Sequence, residues 1–178
     1  AHDLLLVKSV TGGTEAFFSN ETVNGFDLTR DVPLPSIPVL AAWVQAQGFQ
    51  VGVYDLDRGD LEGLLARAST YAVVGFYLSY SNHFGVMRAV KRLKRECPEK
   101  TVVLGGPSLI NLKKDFFRLS EKRWGGLVQD RFGDYVDFAV YGEGEIPLTT
   151  ILQHQDNPEE VGKLIDTGAR DRENRSFG

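Results

Sequence analysis

Cysteine is almost missing from this sequence. Cys97 stands alone in 178 residues, which excludes an intrachain disulfide, a paired CxxC metal site and an iron–sulfur cluster held by the chain's own thiolates. Histidine is nearly as scarce. His2, His83 and His154 lie far apart and assemble no metal cluster, and His83, at the opening of a predicted helix, reads as a surface or capping residue. No apolar run approaches the length of a membrane span and no signal peptide is visible, so the expected location is cytoplasmic. The start at Ala1 without a methionine reads as an excised or trimmed piece. Basic charge is not in excess either: the net charge of -4 argues against a nucleic-acid binder. The basic cluster Lys91, Arg92, Lys94 and Arg95 falls on the polar face of a predicted helix and is expected to be solvated. No Ser/His/Asp or Cys/His arrangement presents itself, and neither a Walker loop nor GxGxxG follows the first strand.

What is present is the rhythm of one globular domain. At 42% hydrophobic and 25% charged, the chain has enough apolar material for a full core plus a tail. Leu4 to about Val10 reads as a buried strand and Thr11–Pro35 as a long irregular loop, a length that is usually functional. Ser36 is placed to cap a helix with Pro38 in its first turn, Ile37, Leu40, Ala41 and Val44 at helical spacing, and Gly48 as its stop. Phe49–Asp57 is a second strand, Asp60–Ala68 a helix, and Tyr71–Leu78 a third strand. His83–Glu96 follows as a helix with Val86, Val90 and Leu93 inward, and Val102–Leu104 is a fourth strand. Ser108–Asp134 is variable and helical around Asp115–Lys122; Tyr135–Tyr141 is a fifth strand and Ile146 to about His154 a last helix.

This alternation predicts an α/β fold: a five-stranded doubly wound parallel sheet, helices on both faces, in the flavodoxin-like (Rossmann-like) order 2-1-3-4-5. The domain is expected to span residues 1–156. Residues 157–178 read as a linker or tail in which Val161–Ile165 allows one more short strand.

Ligands of such sheets bind beyond the carboxyl ends of the strands. There the fourth strand breaks off in Gly105-Gly106-Pro107. Bare backbone lets a ligand approach with no Cβ in the way, and proline stops the strand; a tight strand-to-loop turn accounts for the same residues. The neighbouring strand ends in Gly142-Glu143-Gly144-Glu145. Glu143 and Glu145 already occupy the helix start that would favour an anion, so a ligand phosphate there is repelled and a neutral, amide-rich ligand is preferred. A capped helix start is the plainer alternative. Ser79-Tyr80-Ser81, ending the third strand, offers hydroxyls suited to a ribose or phosphodiester, and equally suits a turn. The switch point lies between the first and third strands, which makes Asp55-Leu56-Asp57 remote. Trp43 and the Phe17-Phe18 pair read as core or loop packing.

With these residues in place, the chain resembles the cobalamin (B12)-binding N-terminal domain of B12-dependent radical S-adenosylmethionine enzymes. The features that match, in order, are Pro33-Leu34-Pro35-Ser36 before Leu40-Ala41-Ala42, and Gly48 leading to Val51-Gly52-Val53-Tyr54-Asp55. After them come Val103-Leu104-Gly105-Gly106-Pro107, and Asp137 to Val140 followed by Gly142-Glu143-Gly144-Glu145. The resemblance spans about Leu4 to Leu152. It implies a corrinoid across the carboxyl edge of the sheet. Ser79 and Ser81 would meet its nucleotide tail, Gly105, Gly106 and Pro107 would line the tail's slot, and Gly142 to Glu145 would border the ring or its amides.

The D-x-H-x-x-G motif of B12 mutases is absent, as it generally is in the family resembled, so the cobalt would bind base-off without that histidine. The CxxxCxxC motif is missing too. The resemblance therefore implies a module that is non-catalytic alone, with a radical SAM domain in cis carrying the 4Fe-4S cluster and S-adenosylmethionine, the parent enzyme being of methyltransferase or cyclase type. A shorter match points elsewhere. Ser9-Val10-Thr11-Gly12-Gly13-Thr14 resembles the loop by which flavodoxins hold the phosphate of FMN, which would make the chain an electron carrier. Flavodoxins run straight from that loop into a helix, whereas Phe18–Gly25 is a poor helix. A receiver-like interaction domain is the third reading, and it lacks the acidic cluster expected after the first strand.

Overall fold

The structure is a computed structural model and describes residues 2–9, 22–23, 26–27, 36–79, 82–107, 135–140 and 143–157. Seven strands and four helices lie among them. They run β1 (His2–Lys8), β2 (Thr22–Val23), β3 (Phe26–Asp27), α1 (Ser36–Ala46), β4 (Val51–Asp55), α2 (Leu61–Ala68) and β5 (Tyr71–Tyr77). After these come α3 (His83–Glu96), β6 (Thr101–Gly105), β7 (Phe138–Ala139) and α4 (Glu145–Gln153). The main sheet is all-parallel in the order β4-β1-β5-β6-β7. With the β2–β3 hairpin set aside, this is the flavodoxin-like order 2-1-3-4-5 expected from the alternation.

Burial on both faces explains why the strands read as continuous apolar runs. Leu5 and Val7 of β1, Val74 and Phe76 of β5, and Val102 and Leu104 of β6 pack towards α2 and α3. Leu4 and Leu6, Val73, and Val103 pack the other way, towards α1 and α4. Val86, Val90 and Leu93 of α3 point inward as their spacing requires. α2 begins on an Asp60 cap whose carboxylate accepts from the Gly63 N–H at 2.6 Å. Gly48 takes φ 92° just past α1, a left-handed turn that explains why that helix stops there.

Several expectations need correction. The fifth strand is only Phe138–Ala139, because β7 is an edge strand with a single partner. Part of the stretch expected to be irregular pairs as an antiparallel hairpin, Thr22 opposite Asp27 and Val23 opposite Phe26. Ser36 is the first residue of α1, and Trp43 is 43% exposed on that helix, so it is no core residue. Lys94 leaves the solvated face: its ammonium pairs with Asp137 at 2.8 Å and donates to the Lys100 carbonyl at 2.6 Å. Lys91 lies over the Tyr135 ring. The helix around 115–122, the tail from 158 and the loop residues 10–14 lie outside the described residues. No helix among the described residues is long and apolar enough to cross a membrane.

Candidate functional site

A cavity of about 390 Å³ opens at the carboxyl edge of the sheet, on the face covered by α1 and α4. Its floor is sheet: Leu6 of β1, Gly75 and Tyr77 of β5, Val103 and Gly105 of β6. Ile37 and Leu40 of α1 form one wall, and Leu148 of α4, with Glu143 to Glu145 ahead of it, the other. The size lies within the range of small-molecule sites, roughly 300–1,000 Å³.

The local sequence explains why there is space here. Pleating sends Val73, Gly75 and Tyr77 to the same face, and register sets Gly75 beside Val103 and Tyr77 beside Gly105. Two of these four cross-strand positions are glycine, so the floor is low. A Cβ built on Gly105 meets no atom within 4 Å, meaning its missing side chain is cavity. Gly106 has φ 117°, and a Cβ there would run into the Leu78 backbone, so the turn after β6 requires glycine. A Cβ on Gly144 would come within 3.0 Å of Leu40, which shows how closely α1 approaches the start of α4.

Six of the expected site residues thus meet around one space: Gly105, Gly106, Pro107, Glu143, Gly144 and Glu145. Ser79 does not line it. Its N–H donates to Asn82 Oδ1 at 2.8 Å. Tyr80, Ser81 and Gly142 lie outside the described residues. Asp55-Leu56-Asp57 stays out of the cavity, as expected, although it is bound to the end of β1. Ser9, fully buried, donates from Oγ to Asp57 Oδ1 at 3.1 Å. The rest of the loop expected to hold the phosphate of FMN, residues 10–14, lies outside the described residues.

No protein-family model and no curated protein sequence matches this chain. Function has to be read from the cavity itself.

Residues that sequence reasoning passed over prove structurally central. Asn82 is fully buried, and its side-chain amide donates to the carbonyls of Ser9, at 2.9 Å, and Tyr77, at 2.8 Å. With the Ser79 N–H donating to its oxygen, Asn82 clamps the ends of β1 and β5 where the strand order switches. Its place at the head of α3 was the one available signal. Tyr77 and Gly75 were hidden inside an apolar run, although a glycine within such a run marks a close backbone approach.

The electrostatics are one-sided. Among the described residues the lining includes no lysine, arginine or histidine, and its charged members are Glu143 and Glu145. Burial raises the Tyr77 phenol above its ordinary value of 10.0, so it remains protonated under all ordinary conditions. The described lining suits a flat, uncharged, largely apolar group with a few hydrogen-bonding atoms. Among the described residues no group of acidic, histidine or cysteine side chains could hold a metal ion. Cys97, beyond α3, and His154, beyond α4, follow the carboxyl ends of their helices, and His2 opens β1 with its ring against Gln50.

Proposed function

We propose that this chain is the cobalamin-binding module of a B12-dependent radical SAM enzyme of methyltransferase or cyclase type. The corrinoid lies across the carboxyl edge of the sheet and sends its nucleotide tail into the cavity between α1 and α4. The observation that supports this reading above all is the glycine floor. Gly75 and Gly105 leave an apolar slot under the same glycine corners that carry the family resemblance.

The residues present fit the group. A planar heterocyclic base matches a slot walled by Ile37, Leu40 and Leu148, and the ring's amide side chains can meet the backbone around Gly144. When bound, the corrinoid supplies a cobalt centre able to carry a methyl group. The chain's own part is to bind it, to shield the tail from water and to leave the upper face for a catalytic partner domain in cis. A single cysteine gives no ligand set for a 4Fe-4S cluster, so the radical chemistry belongs to that domain.

The test is a titration of the chain with cobalamin and, separately, with FMN, followed by absorbance. Cobalamin is expected to bind and FMN not. Gly105→Phe fills the slot and is expected to weaken cobalamin by at least tenfold, about 1.4 kcal/mol, with no change in melting temperature. Equal affinity in the variant, or uptake of FMN in place of cobalamin, would overturn the reading.

A further inference from the structure

We propose that Tyr77 reads the lower base of the bound corrinoid. Its phenol hydroxyl donates a hydrogen bond to a ring nitrogen of that base, so the cavity sorts corrinoids by the base they carry. The inference rests on the cobalamin reading and deepens it.

Tyr77 stands beside Gly105 in the β5–β6 register, and Gly105 offers it no side chain as a neighbour. The ring therefore packs on the α1–α4 core on one side and borders open cavity on the other. Its main chain is immobilised, because Asn82 Nδ2 donates to the Tyr77 carbonyl at 2.8 Å. Its hydroxyl makes no hydrogen bond among the described residues. Tyr77 is only partly buried, so its hydroxyl can exchange water for a partner supplied by the ligand.

Chemistry narrows the roles further. Ionised Glu143 and Glu145 only accept hydrogen bonds and cannot serve a ring nitrogen with a lone pair. Among the described lining side chains those that can donate are Tyr77 and Ser36, and Ser36 is exposed at the start of α1. A base-off corrinoid presents that lone pair, since its nitrogen is not bound to cobalt. Tyr77 is then the donor set at the floor of the slot to receive it.

The experiment measures binding of two corrinoids to the 178-residue chain and to Tyr77→Phe. Cobalamin carries a benzimidazole with a ring nitrogen, and a p-cresolyl cobamide carries a phenolic base with none. Cobalamin has to release its benzimidazole from cobalt before it binds base-off, a cost the p-cresolyl cobamide does not bear, so wild type and variant are compared for each corrinoid in turn. Tyr77→Phe is expected to weaken cobalamin roughly three- to tenfold, the worth of one net hydrogen bond, and to leave the p-cresolyl cobamide and the melting temperature unchanged. A variant that weakens both corrinoids alike, or neither, overturns the assignment. Failure of the wild type to take up either corrinoid would instead bring down the cobalamin reading on which it stands.

Discussion

The two faces of the sheet are built differently although the same strands supply both. Towards α2 and α3, β5 and β6 present Val74, Phe76, Val102 and Leu104, and these meet Leu64, Leu65, Ala89 and Leu93 in a closed layer. Towards α1 and α4, the positions one step along are Gly75, Tyr77, Val103 and Gly105, and the layer is left with a cavity. Among the described residues the closed layer has sixteen buried apolar members and the open one ten. Shifting one residue along a strand thus exchanges a packed wall for a binding floor. One face carries the stability that lets the other be hollow.

That contrast can be broken by mutation. Leu64→Ala in the closed layer is expected to cost about 3–4 kcal/mol, because a tightly packed site cannot collapse around the void; urea unfolding measures it. Asn82→Ala comes next at about 2–3 kcal/mol. It removes together the hydrogen bonds that Asn82 makes to the carbonyls of Ser9 and Tyr77 and accepts from the Ser79 N–H. Leu148→Ala, on the cavity wall, is expected to cost only about 2 kcal/mol, since one side of that leucine already borders open space. If Leu148 and Leu64 cost the same, the two layers are equally packed and the contrast fails.

The smallest effect is a pH limb. Burial raises the pKa of Tyr77 in the folded chain, so the folded state still holds that proton where the unfolded chain, with its ordinary value of 10.0, has released it. Stability is therefore whole below about pH 10 and declines as pH climbs through the folded value. Tyr77→Phe is expected to flatten that decline, read as the urea midpoint between neutral and alkaline pH. A limb unchanged by the substitution would place the phenol in a wetter site than its burial indicates.

Much of this architecture is legible in the residues. The buried run Leu4 to Val7, the runs 71–78 and 102–104, and the helix 83–96 with Val86, Val90 and Leu93 inward all form where the apolar periodicity puts them. Gly105, Gly106 and Gly144 are legible as corners because a glycine after a strand has few other uses. Edges were harder to read. Phe138–Ala139 is shorter than its apolar run, since pairing on one side only does not sustain a long strand. Lys94 looked like one more surface lysine until Asp137, more than forty residues away, met it in an ion pair.

The sequence by itself determined the alternation of strand and helix, the strand order that follows from it and the bare corners at two strand ends. These depend on local spacing, turn chemistry and handedness. The tertiary structure alone decided that Tyr77 stands beside Gly105, that Gly75 lowers the floor next to it, and that Asn82 joins β1 to β5. Periodicity assigns a residue to a face, but its neighbour across the sheet is set by register. Register is fixed only when strands far apart in the chain pair and bury their faces together.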